Sequence, residues 1–144
     1  MELVSDKSGS MSFGWVAPGV YLVRASGEIS ASLGALQLSR LEAALEEQAP
    51  IRYFSDGRDI KGYDLLARSA FVRFVLGQRT KFSELTLLTW SEGVSTAGQA
   101  FAGAIGDPLI LLSSASEFDR RLFLAAPRIR DALAPSQKLR AAAY

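Results

Sequence analysis

The side chains best suited to chemistry fall in two short stretches. Ser55-Asp56-Gly57-Arg58-Asp59-Ile60-Lys61-Gly62-Tyr63-Asp64 brings together three carboxylates and two cations. Thr89, Ser91, Ser95 and Thr96 form a hydroxyl cluster further along. The chain has no Cys and no His. Disulfides, thiolate or imidazole metal sites, and Ser-His-Asp or Cys-His nucleophiles are therefore excluded. Three aspartates could hold a Mg²⁺ ion, which favours carboxylate and water oxygens. A receiver-type site of that kind also needs an acidic pair after the first strand and a Lys after the last. Here the last strand is followed by Ser113-Ser114, so that reading fails. Gly98 and Gly103 have phosphate-loop spacing, but Ala104-Ile105 follow where Lys and Ser or Thr are required.

The background to these stretches is an ordinary globular composition. At 144 residues, with 49% hydrophobic and 22% charged residues, the chain suits one domain with a packed core and argues against disorder. A net charge of +1 lacks the clustered excess of Lys and Arg that nucleic-acid binding demands. The start Met1-Glu2-Leu3-Val4-Ser5-Asp6 does not read as a signal peptide, and no run approaches a membrane span. The expected location is the cytoplasm.

The elements that must carry the two stretches alternate. Residues 1–12 read as a flexible lead-in. Strands at 13–17 and 20–25 flank Pro18-Gly19, a hairpin turn, and Gly27 ends the second of them. Leu33, Leu36, Leu41 and Leu45 predict a helix over 31–48, capped by Ser30 or Ser32 and stopped by Pro50. A short strand over 51–54 leads into a polar loop at 55–64. Asp64 caps a second helix ending near Gly77. Strand 85–90, a small-residue helix over about 95–104 with Ser95 as its cap, and strand 109–112 follow. Ser114 and Glu117 have capping-box spacing ahead of a final helix. The fold class is α/β, a mixed, mostly parallel sheet in the order β-β-α-β-α-β-α-β-α. The domain proper spans 13–126. Residues 127–144, rich in Ala and basic, are a helix or a tail.

This order resembles the STAS or SpoIIAA-like (anti-sigma-factor antagonist) superfamily. Three passages carry the likeness: Ala25-Ser26-Gly27-Glu28-Ile29; Arg52 to Asp64; and Gly93-Val94-Ser95 through Phe101-Ala102-Gly103 to Pro108-Leu109-Ile110 and Ser116-Glu117-Phe118. The resemblance implies a bacterial, non-enzymatic signalling domain without a cofactor. Its best-known members are phosphorylated on a Ser or Thr at the helix start after the third strand, and this blocks partner docking. Here that position corresponds to Leu65, which has no hydroxyl, so the phospho-acceptor is lost or moved.

The expected contact face combines Asp56, Arg58, Asp59, Tyr63 and Asp64 with Ser91 and Ser95, the two polar junctions lying side by side beyond the strand ends. The plainer alternative is a solvated loop with a capping Asp64 and local ion pairs. The expected partner is a protein, a kinase or sigma-factor regulator being one option, with homodimerisation another. Phe13, Trp15 and Tyr21 on the hairpin either favour self-association or pack on the helix at 31–48. A competing function is small-molecule or lipid binding in a pocket lined by Phe71, Phe74, Phe101 and Phe123. An enzyme built on Asp with Lys or Arg is the third, least favoured by the missing His and Cys.

Overall fold

The computed structural model describes residues 1–88, 106, 109–130 and 133. Strands β1 (Glu2–Ser5), β2 (Gly9–Ala17) and β3 (Val20–Ile29) precede helix α1 (Ala31–Glu47). Strand β4 (Ile51–Tyr63), helix α2 (Leu65–Gln78) and strand β5 (Phe82–Leu88) follow, then strand β6 (Leu109–Leu112) and helix α3 (Ala115–Ala125). The six strands form one sheet in chain order, β1-β2-β3-β4-β5-β6. β1, β2 and β3 pair antiparallel, and β3, β4, β5 and β6 pair parallel. The sheet is therefore mixed and mostly parallel, as the alternating elements predict. The expected helix at 95–104 lies outside the described residues.

Strands laid down in chain order, joined by right-handed crossovers, keep the crossover helices on one face. α1 and α2 accordingly share a face and pack beside one another. Under them lie Phe13, Tyr21, Val23, Tyr53 and Leu85, with Leu33, Leu41, Leu45 and Val75 contributed by the helices. Aromatic rings form a column here. Tyr53 stacks on Tyr21 at 6.3 Å between centroids and meets Phe82 edge-on at 6.1 Å. The hairpin aromatics Phe13 and Tyr21 are thus buried in the core beside α1. The alternate strand residues Leu22, Phe54 and Leu88 point the other way, into a second core with Phe118 and Leu122 of α3. The period of two along each strand assigns neighbours to opposite faces.

Three expectations need correction. Residues 1–12 are not a loose lead-in, since Glu2–Ser5 pairs with Ser10–Phe13 as an outer strand. Glu2 also accepts from Arg40 of α1 at 2.6 Å, and Asp6 accepts from the Ser30 hydroxyl at 2.6 Å. Gly27 does not end β3. Its φ of 77° lets the strand bulge and continue to Ile29, and a Cβ there would meet the Ser8 carbonyl at 2.5 Å. Residues 55–64 are not a loop either. β4 runs on to Tyr63, pairing with β3 through two register shifts that absorb the extra residues.

The helix ends obey local chemistry. Ser30 accepts from the Leu33 N–H at 3.2 Å, and Ser114 from the Glu117 N–H at 3.3 Å. Each cap satisfies one of the amides that a first turn leaves unpaired.

Candidate functional site

Parallel pairing of β3 with β4 sets Arg24 opposite Asp56 on the face that carries α3. Asp56 is 5% exposed, and a carboxylate so placed needs compensation. It receives the Arg58 backbone N–H at 3.1 Å and the Arg58 Nε at 2.9 Å. Arg24 Nε stands 3.6 Å from its other oxygen. The Arg58 guanidinium then reaches α3. Its Nη1 donates to Asp119 at 3.1 Å, its Nη2 donates to the other Asp119 oxygen, and its Cζ lies 5.9 Å from the centroid of the Phe118 ring. This two-pronged geometry is the one in which Arg binds carboxylates most specifically. Arg58 holds the Asp119 carboxyl below its ordinary range, and Asp119, with Asp56, pushes the Arg58 guanidinium further up. Arg58 is therefore a latch between the sheet and α3.

Beside the latch lies an open groove of about 600 Å³. Leu122, Phe123, Ile129 and Leu133 make its apolar wall, and Arg24, Asp59 and Arg130 its polar one. Phe123 and its neighbour Leu124 stand 57% and 65% exposed, unusually open for large apolar side chains. A second ion pair lies on the same face, where Arg52 meets Glu84 at 2.8 Å and Glu84 accepts from the Thr86 hydroxyl at 2.7 Å.

The structure divides the expected contact residues. Asp56, Arg58 and Asp59 line the groove together. Tyr63 belongs to the opposite face. Its hydroxyl donates to Gln37 Oε1 of α1 at 2.6 Å, while Gln37 Nε2 donates to the Tyr53 hydroxyl at 2.9 Å. Burial pushes the Tyr63 hydroxyl up to about 12 and raises that of Tyr53. The result is a buried polar cluster that ties α1 to β4. Asp64 accepts from the Ala67 N–H at 2.9 Å and caps α2. Its role is the plain one of an N-cap. Ser91 and Ser95 lie outside the described residues, and with them the junction expected beside this stretch. Among the described residues no cluster of acidic side chains could hold a metal ion.

Arg24, Asp119 and Arg130 were not singled out by sequence pattern. Arg24 carries one signal, an arginine breaking the apolar run of β3 between Leu22 and Ser26. Arg130 carries another, its place in the basic stretch at 127–144, and Asp119 carries none, because only the docking of α3 brings it to β4.

No family model matches the chain, and no curated protein matches it. A solved structure does. A DUF3478-family protein of SpoIIAA-like fold from Shewanella loihica PV-4 superposes with a TM-score of 0.62 at 15% identity. The match covers 83% of this chain and 98% of that one. The chain thus has the SpoIIAA-like fold that its sequence resembles. Among the described residues, no helix is long and apolar enough to cross a membrane.

Proposed function

We propose that this chain is a non-catalytic, cytoplasmic regulatory module that docks a protein partner on the α3 face of its sheet. The observation that carries the reading is the exposed Phe123 facing the charged wall of Arg24, Asp59 and Arg130, with Leu124 exposed next to it on α3. Apolar anchors ringed by charge are how protein interfaces combine affinity with selectivity. Arg58 and Asp56 hold the strand and helix that present these groups, and so position the surface.

Regulation by a phosphate at the start of α2 is absent from this reading. Leu65 occupies the first turn there, 69% exposed and without a hydroxyl. The adjacent Tyr63 hydroxyl is committed to Gln37.

The test is cross-linking in the native cell with the wild-type chain, a Phe123→Asp/Arg130→Glu variant and an Asp64→Ala variant. The expected outcome is a defined set of cross-linked proteins that the double variant loses and Asp64→Ala retains. An identical set from all three would sink the proposal.

The groove supports a second reading. Its volume falls in the range of small-molecule sites, and its apolar floor beside arginines suits a ligand with an apolar body and an anionic end. Native mass spectrometry of the purified chain distinguishes the two. A retained mass released by Phe123→Asp would favour the ligand, whereas a bare chain favours the protein partner.

A further inference from the structure

The outer surface of the α1–α2 layer is separate from the groove and is split by charge. α1 ends in Glu42, Glu46 and Glu47, all exposed. α2 and the turn after it carry Arg68, Arg73, Arg79 and Lys81, with no acidic residue from 65 to 83. Among the described residues, none of these four cations nor Glu42 or Glu46 makes an ion pair within the chain.

The two helices also differ in relief. α2 buries only Ala67 and Val75, although it is apolar around most of its circumference. Leu65, Leu66 and Leu76 are exposed by 69%, 78% and 36%. Leu65, Ser69, Val72 and Leu76 follow the alternating spacing of four and three that lines up one seam on a helix. The outer seam of α1 is built instead from Ser32, Ala35, Ser39 and Ala43, all exposed. One helix offers ridges, its neighbour a shallow trough.

The registry of these features decides what fits them. Both are crossover helices, so they run in the same direction. Gly34 of α1 is level with Ala67 of α2, so close that a Cβ on Gly34 would lie 2.5 Å from the Ala67 Cβ. From that level, Ser32 aligns with Leu65, Ser39 with Val72, Ala43 with Leu76, and Glu46 with Arg79. We propose that this face binds a second copy of the chain, with α1 of one copy lying on α2 of the other. A two-fold axis parallel to the helices preserves their direction and these levels. It seats Leu65, Val72 and Leu76 on Ser32, Ser39 and Ala43 and sets Arg79 against Glu46, twice per dimer. Pairing α2 with α2 would set Arg68, Arg73 and Arg79 each against its own copy, whereas α1 on α2 leaves Arg73 level with Arg40, whose charge is already met by Glu2. The complementary surface is carried by the chain itself, which selects a second copy over any other acidic partner.

Sedimentation equilibrium of the full chain tests this through a charge swap. Every substitution is at an exposed position, and circular dichroism checks that each variant folds. The wild type is expected to dimerise reversibly. Arg79→Glu or Glu46→Arg alone is expected to weaken the dimer by about 10-fold, because each reversed pair occurs twice. The double variant is expected to regain most of that loss, and Leu76→Glu to abolish dimerisation. A wild-type monomer up to about 1 mM, where a specific dimer has a measurable population, would overturn the proposal. So would a dimer indifferent to both single reversals. Binding of the monomer to phosphatidylserine vesicles, lost in Arg73→Glu, would assign the face to a lipid surface and overturn it equally.

Discussion

The two faces of the sheet are closed by different physics. On the α1–α2 face, rings and aliphatic side chains interdigitate, and the polar atoms of Gln37, Tyr53 and Tyr63 satisfy one another. On the other face, among the described residues, α3 covers a smaller core, and charged side chains bridge it to the strands. Burial of apolar area is strong and indifferent to direction. Ion pairs are weaker in net terms but specify one geometry. The first face therefore supplies stability, and the second holds a particular surface in place.

The largest effect is expected where the first face is opened. Tyr53→Ala removes a fully buried ring from the aromatic column and its bond to Gln37. A loss of about 3–5 kcal/mol in denaturant unfolding is expected, with all probes shifting together. A loss confined to one helix would contradict the contrast between the faces.

Arg58→Ala sharpens the comparison from the other side. It leaves the buried Asp56 with a backbone N–H and the more distant Arg24, and removes the ion pair that joins α3 to β4. The expected cost is about 2–4 kcal/mol, smaller and local. Hydrogen exchange should accelerate in α3 while α1 stays protected. Equal acceleration in both helices would show that the latch is not local.

The smallest effect is that of acid. The Asp6 carboxyl, accepting from the Ser30 hydroxyl and the Ser8 and Gly9 amides, is pulled down from 3.8 to about 2. Arg58 likewise holds the Asp119 carboxyl low. A carboxyl depressed by folding stabilises the native state above its unfolded value and loses that contribution as pH falls through its folded one. Both contributions are full above about pH 4, and that of Asp6 is lost between there and about pH 2. Exchange at the β1–β2 turn should rise across that window, and exchange in α3 as pH falls below about 4, before the near-ultraviolet signal of the aromatic column changes. Simultaneous loss of both would remove the distinction.

Much of this was legible in the chain. Apolar spacing placed α1 within a residue, and Pro50 marked its end. Asp64 and Ser114 announced their helices because an N-cap is a local bargain between one side chain and the next turn. β4 beyond Phe54 was hidden. Its glycines and charges read as a loop, since period-two alternation is broken by the bulges that fit it to β3. The same stretch held both correct and misplaced site residues. Asp56 and Tyr63 look alike as polar members of one segment, yet the pleat and the bulges send them to opposite faces.

Local chemistry thus settled the class of fold, the caps and turns, and the absence of His and Cys chemistry, because each depends on neighbours a few residues apart. The latch of Arg58 between Asp56 and Asp119, the groove beside it and the split charge of the helical layer emerged only on folding. Their members are far apart in the chain, and strand registry together with helix docking, each a collective outcome of packing, determines which of them meet.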